Sequence, residues 1–249
     1  TLLMGAENPL LYKVMGLGDK DYSDFTPISI LARGTPILVA RPDAPFDDYA
    51  GMMDYIRAHP GELRFGATGP GGLPSVVTAM IQSVEGGLDV IAVPYDGDGP
   101  ALTALQGGAI DVMPAVLGAA IESIRGGKMK PLALFDVAAS DKLPEATPVT
   151  EFNEGYATYL PWGPFFGVFV KKGTPDDIVA RLVEAYAKGA ESEDFKTLMD
   201  ALDGAAPFPP RMGADDRRRP SIRSAAPFSF RGGERPRSTD PEAMGGRKS

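Results

Sequence analysis

Short apolar runs of strand length alternating with longer runs of helical period predict an α/β fold built in two parts. Three observations carry that prediction. First, Leu63-Arg64-Phe65-Gly66-Ala67-Thr68-Gly69-Pro70-Gly71-Gly72-Leu73-Pro74-Ser75 reads as a strand, a glycine-rich turn and a helix start, and Leu88 to Val93 follows as a second strand. That is a βαβ unit, whose strands should lie parallel. Second, the prolines of Arg41-Pro42-Asp43-Ala44-Pro45 break the pattern where a chain would cross between two parts, and Tyr159 to Trp162 is placed for the return. Third, a hydrophobic content of 43% over 249 residues is ample for a packed core. The expected division is a first domain from residues 1–40 and 161–206, a second from 41–160, and a tail over 207–249.

In chain order, Leu2 to Gly5 reads as a strand stub and Ala6 to Gly18 as a loop with a short helix. Ile28 to Ala32 and Ile37 to Ala40 are apolar runs of strand length, each preceded by a proline. Phe46 to His59 reads as a helix ended by Pro60 and Gly61, with His59 in the last turn, where the helix dipole favours it. After the βαβ unit, Pro94-Tyr95-Asp96-Gly97-Asp98-Gly99-Pro100 leads into a helix, and Pro100 suits a first turn because its missing N–H would be unpaired there. Ile110 to Pro114 is a third strand, Ala115 to Ile124 a helix and Pro131 to Phe135 a further strand; Trp162 to Val170 is an apolar run rich in aromatics. Thr174-Pro175-Asp176-Asp177 reads as a helix start with Thr174 as cap, and Ile178, Leu182 and Tyr186 fall on one face of that helix. Ser192 to Leu202 makes a shorter helix. From Pro207 onward neither period persists. That stretch reads either as a disordered basic tail or, the reading we favour, as out-of-frame translation of a GC-rich gene.

Composition excludes several functions. The formal charge is −8, and residues 211–249 carry ten Lys and Arg against five Asp and Glu, so the chain before them stands near −13. Nucleic acid and anionic membrane surfaces are therefore not expected partners. With no cysteine, thiolate metal sites and cysteine nucleophiles are excluded; the one histidine, His59, reads as a helix-end residue rather than a triad or metal ligand, and no metal or cofactor is expected. No apolar run approaches the ~20 residues of a membrane span. Acidic pairs such as Asp47-Asp48, Asp176-Asp177 and Asp215-Asp216 read as solvated faces or helix starts. Thr1-Leu2-Leu3-Met4 begins like the middle of a strand, without a signal peptide, so an N-terminal part is expected to be missing.

The chemistry points to the turn at residues 66–75. Glycines 66, 69, 71 and 72 free the backbone and clear side chains from its N–H groups, and the first amides of the following helix are unpaired and carry its partial positive charge. Such a turn suits an anion, a carboxylate or phosphate. The same motif imitates a dinucleotide-binding βαβ, with Asp96 as ribose ligand. Its glycines run G-x-x-G-x-G, however, and no Tyr–Lys or other proton-transfer set stands at a usable spacing. That NAD(P)-linked oxidoreductase reading is the alternative.

Several segments in order resemble the substrate-binding proteins of tripartite tricarboxylate transporters, the Bug-type receptors. They are Asp24-Phe25-Thr26-Pro27-Ile28, Pro60-Gly61-Glu62-Leu63, Gly66 to Gly72, Val93-Pro94-Tyr95 with Gly97, Pro100-Ala101-Leu102 and Ile110-Asp111. Gly126-Gly127-Lys128-Met129-Lys130-Pro131, Pro148-Val149-Thr150-Glu151, Trp162-Gly163 and Gly173-Thr174-Pro175 continue the series. The resemblance implies a two-domain, type II periplasmic-binding-protein-like fold with a hinged cleft. It also implies a monomeric periplasmic receptor, not an enzyme, that closes on a small carboxylate, a di- or tricarboxylate or an acidic amino acid, and delivers it to membrane permease subunits. Carried onto this sequence, the ligand would meet Thr68, Gly69, Gly71, Gly72, Ser75, Tyr95, Gly97 and Gly99. A first ligand loop of the family has no counterpart here, so the chain could also be a non-functional fragment.

The sequence departs from the family at Ser75, where histidine is common, and at Asp96 and Asp98, where a basic residue and glycine are usual. Asp98 could cap the helix near Pro100; facing the cleft instead, the two carboxylates would favour a ligand with a positive group. Tyr95 is read equally as a donor or a packed aromatic, and Trp162 as packing between the parts.

Overall fold

A computed structural model of the chain describes residues 1–7, 9–13 and 15–201. The expectations for residues 207–249, the tail and Asp215-Asp216 included, lie outside those residues, as do 202–206 of the expected first domain. Two sheets organise the rest. The smaller has the order β1-β8-β2, from β1 (Leu3–Gly5), β2 (Phe25–Arg33) and β8 (Phe165–Lys171), all antiparallel. The larger has the order β5-β4-β6-β3-β7, from β3 (Pro36–Ala40), β4 (Arg64–Ala67), β5 (Ile91–Pro94), β6 (Val112–Val116) and β7 (Lys130–Leu134). A short helix α1 (Pro9–Tyr12) follows β1.

Four helices cover the larger sheet. Leu38, Ala40, Phe65 and Val112 face α2 (Tyr49–Ala58) and α3 (Leu73–Glu85), whose Met52, Ile56, Val77 and Ile81 are buried against them. Ile37, Val39, Met113 and Ala115 face α4 (Asp98–Gln106) and α5 (Leu117–Arg125) on the other side. The alternation along β3 serves both layers, as a central strand must. Ile37, Leu38, Val39 and Ala40 are all 0% exposed, and each of the larger three contributes about 1.5–3 kcal/mol by burial. A one-turn helix α6 (Val149–Phe152) precedes the return to the smaller sheet.

β4 and β5 pair in parallel, as the βαβ pattern predicts, and β4 pairs in parallel with β6. β3 differs: it runs antiparallel to both β6 and β7. The reason is where the chain arrives. Pro36 pairs with Val116, so β3 starts at the edge where β6 ends. Because β3 sits inside the larger sheet, the chain changes sheets at Gly34–Thr35, ahead of the Arg41–Pro45 stretch that the prolines suggested. Those prolines instead shape the turn into α2.

The return passes alongside the outward crossing. The Gly34 N–H donates to the Pro164 carbonyl at 2.8 Å, and Leu117 N–H donates to Thr35 O at 2.9 Å. Both glycines at this point are needed for lack of room. A Cβ on Gly163 would stand 2.2 Å from the Gly34 carbonyl oxygen, and one on Gly34 would stand 2.7 Å from Val116 Cγ1. Trp162 packs on the core beneath α2 and α3.

α7 (Asp176–Ala190) covers the smaller sheet, and α8 (Glu193–Ala201) follows it. Ile28, Val168 and Val170 meet Val179, Leu182, Val183 and Tyr186 of α7, while Ile178 stays 44% exposed. The buried stripe is thus turned slightly from the one expected, following the i, i+3, i+4, i+7 rows. The opposite sheet face carries Tyr22, Phe165 and Phe169, whose rings lie 4.5–6.5 Å apart.

Candidate functional site

The carboxyl ends of β4, β5 and β6 and the amino end of β3 share one edge of the larger sheet. Beyond β4 the chain enters the turn 68–72, and beyond β5 it enters 95–97. Tyr95 N–H donates to Ala67 O at 2.8 Å, which holds the two turns side by side. In an open sheet this edge is where ligands bind.

Within the first turn, Gly72 N–H donates to Gly69 O at 3.3 Å, Gly71 takes φ +78°, and Gly72 is the N-cap of α3 without any side-chain bond to its first turn. Gly71 and Gly72 are buried, whereas Gly69 is exposed and a Cβ on it would meet nothing within 4 Å. Thr68 and Ser75 are half-buried, and their hydroxyls have no partner among the described residues. Gly66 is different: it lies inside β4, and a Cβ there would stand 2.6 Å from Ile110 Cδ1. It is a packing glycine, so the dinucleotide-like pattern loses its first member.

In the second turn Gly97 is the N-cap of α4, again without a side-chain cap bond, and Gly99 is exposed within the first helical turn. Asp98 is the first residue of α4 rather than its cap. Its carboxylate makes no hydrogen bond or ion pair among the described residues, and burial pushes its carboxyl above the usual aspartate range. Asp96 is exposed. α2, by contrast, has an ordinary cap, with Asp48 Oδ1 accepting from Gly51 N–H at 2.8 Å. The amides that open α3 and α4 are therefore left without side-chain acceptors at the shared edge. α5 opens there too, but its first N–H is taken by Thr35 O.

Tyr95 joins this edge through its backbone alone. Its half-buried side chain packs against the core beneath α4 and α5, as those of Val93 and Ala104 do. That packing fits the packed-aromatic reading of Tyr95.

At the far edge Asp111 joins two arginines. Its Oδ2 accepts from Arg64 N and Nε at 2.8 and 2.9 Å, and its Oδ1 accepts from Arg64 Nη2 at 2.7 Å and Arg41 Nε at 2.9 Å. Burial pushes the Asp111 carboxyl up, but the hydrogen bonds from Arg64 and then Arg41 outweigh it and hold it below the usual range. This cluster ties β3, β4 and β6 together and leaves no oxygen for a ligand.

Glu7 is the residue that sequence reasoning missed. It is 7% exposed, and its Oε2 has no hydrogen-bond partner. Burial pushes its carboxyl up, the amides of Glu7 and Phe165 pull the other way, and the Asp98 carboxylate adds to the rise. Tyr22, whose hydroxyl donates to the Ala6 carbonyl, is pushed up to about 12 by burial and by the Glu7 charge. Glu7 therefore stands just after β1, with the Phe165 amide at the start of β8 beside its carboxylate. A lone acid in a polar loop carries no sequence signal of that position. Among the described residues no group of three potential metal ligands occurs, and no helix is long and apolar enough to cross a membrane.

Over residues 2–209 the sequence matches the family described as tripartite tricarboxylate transporter family receptor. Protein BugT of Bordetella pertussis is 29% identical over 194 residues, which are 76% of this chain and 56% of BugT. The chain spans little more than half the length of the curated relatives it matches first. Among solved structures, MatC from Rhodopseudomonas palustris with bound malate is similar at a TM-score of 0.73 and 26% identity, covering 85% of this chain and 70% of MatC. The periplasmic binding protein BugD is similar at a TM-score of 0.71 and 24% identity, over 82% and 67% of the two chains. The fold is thus the two-domain, type II periplasmic-binding-protein-like α/β fold that the sequence led us to expect.

Proposed function

The chain belongs to the tripartite tricarboxylate transporter receptor family, and from that premise we propose that it captures a small carboxylate in the periplasm for the membrane permease subunits of such a transporter. The observation that carries this reading is the pair of helix N-termini, α3 and α4, that open without side-chain caps at one sheet edge. Unpaired amides with the positive end of a helix dipole behind them favour an anion. A ligand carboxylate would accept from the N–H groups of Gly69 and Gly71, from those of Leu73 and Ser75 that open α3, and from the Thr68 and Ser75 hydroxyls. The turn at Gly97 to Gly99 would hold the ligand's other side.

In this reading residues 1–34 and 164–201 form one domain and 35–163 the other, and the paired crossings at Gly34 and Pro164 are the hinge. Closure follows when the closed arrangement binds the ligand more tightly than the open one. The malate held by MatC supports a ligand of that size and charge. The family is one of receptors, and the loss of Gly66 from the turn removes what favoured an oxidoreductase. A monomer is the proposed working form.

Thermal melts of the full chain with malate, succinate and L-aspartate test this. A ligand at 100 times its Kd adds about 2.7 kcal/mol, which for a domain of this size raises the midpoint by roughly 5–10 °C. Gly69→Leu puts a side chain into open space above the turn, so it should melt cooperatively yet lose the shift. An undiminished shift in that variant, or no shift with any of the three acids in the parent chain, would overturn the proposal.

A further inference from the structure

We propose that capture is coupled to a proton: a ligand carboxylate sits against Asp98, whose carboxyl takes one proton from bulk solvent, donates it to the ligand as a hydrogen bond and gives it up when the ligand leaves. This inference rests on the receptor reading and adds a side chain to the turn at Gly97 to Gly99.

Three observations give Asp98 this role. It is the first residue of α4, and the Tyr95 N–H to Ala67 O bond of 2.8 Å holds its turn beside the uncapped start of α3. It also has no structural task, because it caps nothing and its half-buried carboxylate makes no hydrogen bond or ion pair among the described residues. The acids that open other long helices differ: Asp48 caps α2, Glu193 pairs with Lys196 at 2.7 Å, and Asp176, Asp177 and Asp194 are exposed. Finally, α4 is short of donors. Ala101 N–H donates to Gly97 O at 3.4 Å and Pro100 has no N–H, so only the amides of Asp98 and Gly99 remain for a ligand.

Two carboxylates brought together in a partly desolvated turn do not both stay charged; one takes a proton. Burial already biases Asp98 that way. The neutral acid has an O–H to donate, and an O–H bond to a carboxylate is a strong one. Protonation thus turns Asp98 from a repelling charge into the donor that Pro100 withholds. The other ionisable groups around the turn are engaged or exposed. Asp96 is exposed, Tyr95 is packed on the core, and Glu7 takes the Phe165 amide. On the elements beneath and beside α4, Arg64 bonds to Asp111 and Arg125 to Glu122. None supplies Asp98 with a cation among the described residues, which leaves the ligand as its partner.

Titration calorimetry of the full chain with malate, succinate and L-aspartate, in two buffers of different ionisation enthalpy, counts the protons taken up per ligand. A series between pH 6.5 and 8, where both carboxylates of each acid stay charged, reads the linked affinity. The acid that binds should take up about one proton at pH 7, and its Kd should rise about tenfold per pH unit. Asp98→Asn, whose amide donates at every pH, should bind that acid more tightly than the parent at pH 8, with no uptake and a flat Kd. A cooperative melt confirms that it folds, and Asp98→Ser, whose hydroxyl also donates at every pH, serves in its place if it does not. Uptake below about half a proton in the parent, or uptake that survives in the Asp98 variant, overturns the coupling and leaves the receptor reading standing. If none of the three acids binds, the receptor reading falls and the coupling with it.

Discussion

At the level of single residues, two buried acids of this chain have opposite effects on stability. Asp111 is held below the usual aspartate value, so its contribution is present above pH 3.8 and is lost as pH falls through its folded value. Its four hydrogen bonds to Arg41 and Arg64 are charge-assisted, though both arginines reach solvent, which screens them. Asp111→Asn should therefore cost about 2 kcal/mol at neutral pH, and the cost should shrink below pH 3.8; urea melts at pH 7 and pH 3 read both. A cost that stays constant across that range would mean that the ion pairs contribute nothing. Glu7 is raised above 4.5, so the folded state binds its proton more tightly than the unfolded chain does. Stability from that proton is present below pH 4.5 and declines as pH rises through the folded value. Glu7→Gln should then raise the melting midpoint at pH 7 and leave it unmoved at pH 4. A gain in stability on removing the charge is what a buried carboxylate with an unpartnered oxygen produces. Asp111 falls in the strand read at Ile110 to Pro114, whereas nothing in the sequence around Glu7 says that its carboxylate meets the Phe165 amide.

Helix starts and strand order show how far single elements could be read. The βαβ unit, the anion-suited turn and the proline-led starts of α4 and α7 were legible because their signals are local: glycines, prolines and a change of period within ten residues or so. What was not legible depends on partners distant in sequence. The membership of β3 in the larger sheet is set by pairing with Val112–Val116 and Lys130–Leu134, and no pattern within Pro36–Ala40 distinguishes the two sheets. Tyr95 has the same limit, since only packing on α4 decides where its ring goes. Caps fall between these cases. Asp48 caps α2, but Thr174, expected to cap α7, instead donates to Lys171 O at 2.7 Å and leaves Pro175 as N-cap. Asp48→Ala should thus cost about 1 kcal/mol, while Thr174→Ala, which removes only an exposed turn bond, should stay within about 0.5 kcal/mol. Denaturant melts of the two variants side by side check this, and equal losses would return Thr174 to the capping role.

For the whole molecule the decisive feature is the meeting of the two crossings. Gly34 and Gly163 bring the strands so close that neither has room for a methyl group, and one hydrogen bond, Gly34 to Pro164, spans the contact. Such a junction concentrates any relative movement of the two sheets into a few residues, as hinges do. Trp162, the one tryptophan of the chain, stands beside it, half-buried on the core of the larger sheet. Its emission is therefore a built-in reporter of the crossing. Titrating L-aspartate or malate into the full chain should shift or quench that emission saturably, with a midpoint equal to the calorimetric Kd. Gly69→Leu should abolish the change by blocking the ligand. Gly163→Ala acts differently: its Cβ collides with the Gly34 carbonyl, so it should alter Trp162 emission before any ligand is added and reduce the ligand-driven part. A ligand that raises the melting midpoint without moving Trp162 emission would show that binding does not act through these crossings, and the hinge would then have to be sought elsewhere in the chain.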